Sequence, residues 1–180
     1  VWRIYKNSSL TVQSGRVTSV TGDFGATTTI TYSTLSNPMV YSKGGTDAYP
    51  APRYTIPLNV VRQTVESNGA AGSQTTQYSY NGLRIHLQGR GLLGFNKVTA
   101  SNTTMGVTPE SGVTQWDNLR YIPKVTYSKT TVGSQTAQTT NTLTIVDKQD
   151  KKYLAYPSQT VETDLDANTV TTTRTYNTAN

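Results

Sequence analysis

The amino-acid sequence predicts an all-β protein in which antiparallel hairpins repeat along the chain. Threonine supplies 34 of the 180 residues, and this β-branched side chain fits a half-exposed pleated surface better than a helix. Polar and apolar residues alternate over short stretches, whereas the spacing of an amphipathic helix is absent. Glycine, asparagine and aspartate separate these stretches at even intervals, which is typical of hairpins rather than of parallel βαβ units.

The segment Thr27 to Tyr32 shows the alternation most clearly. Ile30 and Tyr32 fall on one face of the predicted strand, and Thr29 and Thr31 fall on the other, because successive side chains of a strand point to opposite faces. We therefore expect one apolar face that packs and one hydroxyl-rich face that meets water.

Eleven strands follow from the same pattern. They are Arg16–Thr21, Ala26–Ser33, Leu58–Ser67, Thr75–Tyr80, Leu83–Leu87, Gly94–Ser101, Gly112–Trp116, Lys124–Lys129, Gln138–Asp147, Tyr153–Thr163 and Thr169–Asn177. Turn residues separate them at Ser14-Gly15, Gly22-Asp23, Asn68-Gly69, Asn81-Gly82, Asp147-Lys148 and Asp166-Ala167-Asn168.

Residues 37–57 interrupt the strand pattern. This segment is rich in proline, glycine and tyrosine, and proline removes ladder donors and fixes φ. We expect an ordered surface loop, and we expect Tyr41, Tyr49 and Tyr54 to hold it by packing their rings on the sheet. A loop of this length is often functional or straps one part of a structure to another.

Composition excludes several classes of protein. The chain has no cysteine, which removes disulfide frameworks, thiolate zinc sites and cysteine nucleophiles. No apolar run approaches the length of a membrane span, and no basic and apolar signal segment opens the chain. The net charge is +6, but the basic residues are dispersed rather than clustered, so we expect no nucleic-acid partner. Because the chain starts at Val1, it is interpreted as a single β-rich segment, 1–180, of a longer protein.

An internal repeat organises the chain. The segments that end at Tyr32, Tyr80 and Tyr176 share a strand, a polar turn and a threonine-rich strand that closes on tyrosine. One such hairpin cannot bury its apolar face alone, so neighbouring hairpins are expected to stack laterally into a long sheet.

A block within 75–101 is more distinctive. It combines Tyr78-x-Tyr80-x-Gly82 with a Gly-Arg-Gly-Leu-Leu-Gly-Phe run. The residues of this motif are Tyr78, Tyr80, Gly82, Gly89, Arg90, Gly91, Gly94 and Phe95. The block resembles the segment that precedes the Rhs repeats in toxin-complex B subunits and related YD-repeat toxins. The chain departs from the family pattern at two kinds of position. Ile122 precedes Pro123 where the family has an aromatic residue before the proline, and Ser33 and Asn177 stand where the family repeat has aspartate.

The resemblance implies a structural role. Members of the Rhs/YD-repeat family build a hollow β-sheet shell that encloses a C-terminal toxic domain and is secreted by bacteria. This chain would be one strip of that wall, with the remainder of the toxin polypeptide and other toxin-complex subunits as partners. The autoproteolytic aspartates of the family lie in a C-terminal motif that this sequence lacks.

No residue pattern predicts catalysis. His86, the single histidine, alternates with apolar residues and has no acid near it in sequence, so we expect a surface or edge-strand residue rather than a general base. The glycines between Leu87 and Phe95 lack the strand-to-helix context of a phosphate loop. They are expected to allow a bulge or a tight crossover, with Arg90 paired to a carboxylate or to carbonyls.

Two binding hypotheses remain open. Asp164, Asp166 and Asn168 have the alternate oxygen spacing of a calcium loop but lack its glycine and terminal glutamate, which favours a solvated hairpin turn. Trp2, Trp116 and the tyrosines could form a sugar platform, although their positions favour packing. We therefore expect no enzyme and no cofactor or metal, and we retain an extracellular adhesin or carbohydrate-binding module as the alternative to the shell.

Overall fold

The computed structural model describes residues 15–67, 72–117, 119–148 and 152–176. Within these ranges the chain is almost entirely β-structure, with one 3-10 turn at Asp23–Gly25 and no α-helix. The predicted all-β fold class is confirmed. In the described part of the chain, no helix has the length and apolar character needed to cross a membrane.

Thirteen strands form within the described ranges. They are β1 (Ser19–Thr21), β2 (Thr27–Thr34), β3 (Tyr41–Ser42), β4 (Asn59–Ser67), β5 (Ser73–Asn81), β6 (Arg84–His86), β7 (Gly91–Gly94), β8 (Lys97–Asn102), β9 (Val107–Trp116), β10 (Pro123–Val132), β11 (Gln135–Asp147), β12 (Tyr153–Thr163) and β13 (Thr169–Thr173).

The strands follow one another across an antiparallel meander. The order is β1-β2-β4-β5-β8-β9-β10-β11-β12-β13, and β6 and β7 form a separate two-stranded hairpin. Hairpins therefore stack side by side, as the repeat predicts. The sheet is not closed, and β1 and β13 each pair with a single neighbour among the described strands.

The structure differs from the predicted strands most clearly at two places. The predicted strand Gly94–Ser101 is interrupted: β7 ends at Gly94, whose φ is +101°, and β8 begins at Lys97. β9 begins at Val107 rather than at Gly112. Pro109 does not end the strand because it faces Thr130 of β10, while the pairing of β9 with β8 is interrupted at this level. The predicted turn at Asn68-Gly69 and the residue Asn177 lie outside the described residues.

The middle strands have faces of opposite character. Cross-strand partners share a face, and the register places Lys97 and Thr99 of β8, Glu110 of β9 and Tyr127 and Lys129 of β10 on one side, here termed the polar face. The other side presents smaller or apolar residues. They are Tyr80, Val98, Ala100, Pro109, Ser111, Ser128 and Thr130.

One irregularity determines where the core lies. β4 pairs with β5 only as far as Gln63 opposite Gln77, and beyond that point the two strands are not paired. β3 takes the vacated edge of β5 in parallel, with Tyr41 opposite Tyr80. The Tyr80 amide donates to the Val40 carbonyl and the Gly82 amide to the Ser42 carbonyl. Within residues 37–57, termed the strap, Tyr41 and Ser42 therefore join the sheet, and most of the remaining residues form turns and loop.

The buried core lies at this junction. Leu35, Tyr41 and Leu83 form the central cluster, with Leu35 and Leu83 at most 1% exposed. Four half-buried residues pack against it: Ile56, Val60, Tyr80 and Phe95. Away from this cluster most of the described side chains are half-buried or exposed, so the sheet is thin and solvent reaches both of its faces.

β13 is an edge strand of the described sheet. β13 carries five exposed residues without charge or proline, and such an edge is a template for pairing with another chain. We expect the isolated 180-residue chain to self-associate, and Thr171→Lys to reduce this association because a charge on an edge blocks strand addition.

The matched control is Thr142→Lys, which places the same charge at an exposed position of the interior strand β11. Sedimentation velocity over a range of concentrations measures the association. An unchanged chain that stays monomeric throughout, or equal effects of the two lysines, would contradict the prediction.

Candidate functional site: the strap and the glycine-rich hairpin

The aromatic residues of the predicted motif lie in or near the central cluster, whereas its glycines from Gly89 to Gly94 and Arg90 lie in or beside the β6–β7 hairpin. Tyr80 and Phe95 meet in the central cluster, with ring centroids 4.8 Å apart, and Tyr41 of the strap approaches Phe95 edge-on at 6.4 Å. Burial raises the pKa of the Tyr80 phenol, whose hydroxyl donates to the Val61 carbonyl at 2.8 Å. Tyr78 faces Ala100 on β8 instead.

The Tyr41 hydroxyl joins three segments of the chain. It donates to the Tyr54 carbonyl at 2.6 Å and accepts from the Leu83 amide at 3.0 Å. Both ends of the strap and the start of the hairpin therefore converge on one oxygen. Tyr41 is 5% exposed, so the peptide groups that it satisfies have little access to water.

The strap and the hairpin are also joined through their backbones. The Tyr54 amide donates to Leu83, the Ile85 amide to Pro52 and the Leu87 amide to Pro50. The prolines lack amide donors, but their carbonyls remain acceptors. A proline-rich segment can therefore pair with β6 from one side.

The glycines of the motif have the geometry that the sequence predicts. Gly89, Gly91 and Gly94 have φ values of +97°, +70° and +101°. Arg84 faces Gly94 and Ile85 faces Leu92, so Leu93 is the extra residue of a β-bulge. A Cβ atom at Gly91 or Gly94 would meet nothing within 4 Å, which shows that backbone conformation, not crowding, selects glycine here.

Arg84 and Arg90 hold the hairpin to the strands beyond it. Arg84 lies over the Trp116 ring at 5.2 Å and donates to the Ala51 carbonyl at 2.9 Å. Burial, with a smaller effect of the nearby Arg53, lowers the pKa of Arg84. Arg90 lies 6.0 Å from the Tyr121 ring and donates to the Arg120 carbonyl, which confirms its predicted pairing with a carbonyl.

His86 is not the surface residue that the sequence predicts. It is 6% exposed, and its ring packs against Tyr121 with centroids 4.3 Å apart. Contacts between distant parts of the chain account for the burial of His86. The strap covers one edge of β6, and the connection between β9 and β10 packs against the hairpin through Tyr121. Tyr121 in that connection has φ +53°, a left-handed conformation that costs a non-glycine residue about 1–2 kcal/mol. Neither ring nitrogen of His86 has a hydrogen-bond partner among the described residues.

The strap tyrosines also depart in part from expectation. Tyr41 packs in the core, whereas Tyr49 is 74% exposed and holds Gln88 through its hydroxyl at 3.0 Å. Tyr54 contributes its backbone to the ladder with the hairpin. The sequence does not predict the burial of Val40 and Ala51 in the strap or of Leu35 just before it, since isolated apolar residues near prolines resemble an ordinary loop.

The polar face carries one charged cluster. Lys97 lies 3.1 Å from Glu110, and the Tyr127 hydroxyl donates to the same carboxylate at 2.9 Å. Burial opposes ionisation of Glu110, but the hydrogen bonds from Lys97 and Tyr127 outweigh it, so its pKa is lowered. The Tyr127 ring lies over Gly112, where a Cβ atom would come within 2.6 Å of it.

The aspartates that the sequence suggests for calcium build a turn. The Asp164 carboxylate accepts from the Asp166 amide, the Asn168 amide and the Asn168 side chain, each at 2.9 Å. These bonds, with the Asn168 side chain first, lower the pKa of Asp164. The solvated-turn interpretation accounts for this geometry. No group of three metal-binding side chains occurs among the described residues.

The aromatic residues pack within the fold. Trp116 is buried under Arg84, and Tyr156 and Tyr176 pack on each other at 4.5 Å. Trp2 lies outside the described residues.

Comparison with known proteins gives one match. The family model described as the insecticide toxin TcdB middle/N-terminal region matches residues 1–121. No curated protein and no solved structure matches the chain. The matched range contains the strap, the hairpin and the central cluster.

Loss of the Tyr41 hydroxyl tests the junction. We expect Tyr41→Phe to lower the free energy of unfolding by about 1–3 kcal/mol, because it leaves the Leu83 amide and the Tyr54 carbonyl unsatisfied. Tyr49→Phe, which removes an exposed hydroxyl, should cost much less. Urea denaturation measures both, and equal effects would show that the buried hydroxyl has no special role.

Gly94 tests the bulge. Gly94→Val should destabilise the chain by at least about 1–2 kcal/mol, since a β-branched residue at φ +101° is strained. Gly22→Ala is the control, because Gly22 has φ −101° and a Cβ atom there would make only an ordinary contact, 3.9 Å from the Ala26 carbonyl oxygen. Thermal melting that is unchanged by Gly94→Val would refute a conformational requirement.

The lowered pKa of Glu110 predicts a pH dependence. Its ionised form contributes stability above the ordinary carboxyl pKa of about 4.3, and this contribution is lost as the pH falls through the lower pKa of the folded chain. Glu110→Gln should therefore be less stable than the unchanged chain at pH 7, and the difference should vanish in acid. A difference that does not depend on pH would contradict the assignment.

Proposed function

Because the chain belongs to the family of the insecticide toxin TcdB middle/N-terminal region, we propose that it forms one strip of the wall of a secreted toxin-complex shell that encloses a toxic domain. In this role the chain acts by its shape and contains no active site. Its partners are the remainder of the same polypeptide and other subunits of the complex.

The open meander is the observation that carries the proposal. Among the described residues, ten strands succeed one another in one antiparallel sheet that does not close, and only a few side chains there are buried. Open twisted sheets of this width usually curl, split or pair with another layer. The outer strands β1 and β13 each have a single neighbour among the described strands, and such a sheet is well suited to continue into a larger wall.

The hairpins beyond the matched residues support the same role. β10 to β13 extend the sheet by the alternating, threonine-rich pattern that resembles YD repeats. Cross-strand hydroxyl pairs occur along them, such as Thr131 with Thr136 and Thr163 with Thr169. Residues of this kind would give a shell a hydrophilic surface and need no further chemistry.

Three of the carboxylates have structural partners. Asp164 holds a turn, Glu110 binds Lys97 and Tyr127, and Asp117 binds Arg120. The packed aromatic residues offer little to the carbohydrate-binding alternative, since Trp116 and Tyr41 are buried.

Enclosure can be tested in the full-length parent protein. We expect Tyr41→Phe and Gly94→Val to expose the enclosed domain to added protease and to reduce toxicity in proportion, because they weaken the wall. Tyr49→Phe should leave both properties unchanged. The assay compares protease protection, toxicity and protein abundance for the same preparations.

One experimental result would contradict the proposal that this chain acts only as part of a shell. A substitution at Glu110 or Asp164 that abolishes toxicity, while abundance, assembly and protease protection stay normal, would overturn it and indicate chemistry in this segment.

A further inference from the structure

The two faces of the β6–β7 hairpin differ in what covers them. One face carries Arg84 and His86, which pack on the end of β9 and on the connection that follows it. The other face carries Ile85 and, opposite it on β7, Leu92, because successive side chains of a strand alternate between faces. Leu87 continues this alternation, since its amide bonds to the strap as the Ile85 amide does. Ile85, Leu87 and Leu92 are here termed the leucine face.

The leucine face is apolar and open to solvent. Leu87 is 51% exposed and Leu92 is 57% exposed, while Ile85 is half-buried. Leu83, two residues before Ile85, is fully buried in the central cluster, so the apolar side chains run outward from the core to the turn of the hairpin. Contiguous apolar side chains at a surface are typical of an interaction site.

β7 also has an open backbone edge. β6 is bonded on its outer side to the strap through the Ile85 and Leu87 amides, whereas β7 pairs only with β6 among the described strands. A Cβ atom at Gly91 or Gly94 would meet nothing within 4 Å, so the space beside these residues is free. Exposed strand edges accept an extended segment through main-chain hydrogen bonds, and the bulge at Leu93 limits the regular edge to a short stretch.

The charges of the hairpin are positive. The chain has no aspartate or glutamate between Glu66 and Glu110, a range that contains the whole hairpin. Arg90 directly precedes β7 and contacts the Arg120 carbonyl and the Tyr121 ring, and it forms no ion pair with a carboxylate in the described part of the chain. A carboxylate of a partner can therefore receive charge-assisted hydrogen bonds at this edge.

From these features we propose that the β7 edge and the leucine face bind a short extended segment of a partner protein in which apolar and acidic side chains alternate. The backbone of the segment adds to β7, and its apolar side chains cover Leu87 and Leu92. Its acidic side chains point to the opposite face and approach Arg90 on the Tyr121 side of the hairpin. The site is an addition to the proposed wall function and does not depend on it.

The size and charge of the site favour this occupant over a second copy of the chain. Stable interfaces between folded proteins engage about 20–30 residues on each side, whereas the leucine face consists of three residues. Two copies, each with a net charge of +6, would also repel each other at a cationic hairpin.

Synthetic peptides test the components of the site separately. The probe is a short peptide with blocked termini that alternates valine and glutamate. One control peptide replaces glutamate by lysine, a second replaces valine by serine, and a third carries N-methyl groups on its amides, so that each lacks one component. Backbone-amide NMR shifts of the full 180-residue chain give the affinity and the position of the bound peptide. We expect shifts at β7 rather than at β13, and affinities about tenfold weaker for each control.

Leu92→Ser is the matched variant, with Val170→Ser as its control because Val170 is an exposed apolar residue on the edge strand β13. Leu92→Ser should weaken binding of the valine–glutamate peptide about tenfold, and Val170→Ser should leave it unchanged. Leu87→Ser provides a second test if Leu92→Ser disturbs the hairpin. Arg90→Gln should remove the preference for glutamate over lysine.

Several results would overturn the proposal. They are absence of binding by the valine–glutamate peptide, equal shifts at β7 and β13, equally tight binding of the lysine or serine peptide, and unchanged affinity in both Leu87→Ser and Leu92→Ser. Loss of self-association of the chain in Leu92→Ser would also overturn it, because a second copy would then be the occupant of the site.

Discussion

The fold depends on how the gap between β4 and β5 is filled. The two strands are paired up to Gln63 and Gln77, and the strap supplies the missing neighbour of β5 beyond that point. Insertion of the strap brings the Tyr41 hydroxyl to the Tyr54 carbonyl and the Leu83 amide, and it encloses Leu35 and Leu83. In a sheet with so few buried side chains, this junction concentrates the hydrophobic stabilisation that the other strands lack.

The rest of the structure extends outward from that junction. The hairpin packs beside the strap and reaches the β9–β10 connection through Arg84, His86 and Arg90. From there, Arg120 binds Asp117 and Asp147 and lies over Tyr153, which ties the same connection to β11 and β12. The described sheet therefore has one densely packed region and a long polar part.

The sequence predicts the sheet better than it predicts the junction. Alternation at Thr27 to Tyr32 and turn residues such as Asn81-Gly82 are local signals, and they identify nearly every strand and the bulge at Gly91 and Gly94. Burial of Tyr41 and His86 depends instead on contacts between residues about 40 and 35 positions apart, Tyr41 with Leu83 and His86 with Tyr121. No local pattern encodes those contacts. Proline in the strap indicates a loop because it lacks a donor, yet the carbonyls of Pro50 and Pro52 accept the bonds that order it.

Native-state hydrogen exchange at neutral pH tests most directly whether the strap junction is the stable centre of this sheet. The account predicts that the amides of Tyr54, Tyr80, Gly82 and Leu83 exchange only with global unfolding, and that amides of β13 exchange far faster through local opening. Uniform protection across the sheet, or faster exchange in the strap than in the outer strands, would contradict it.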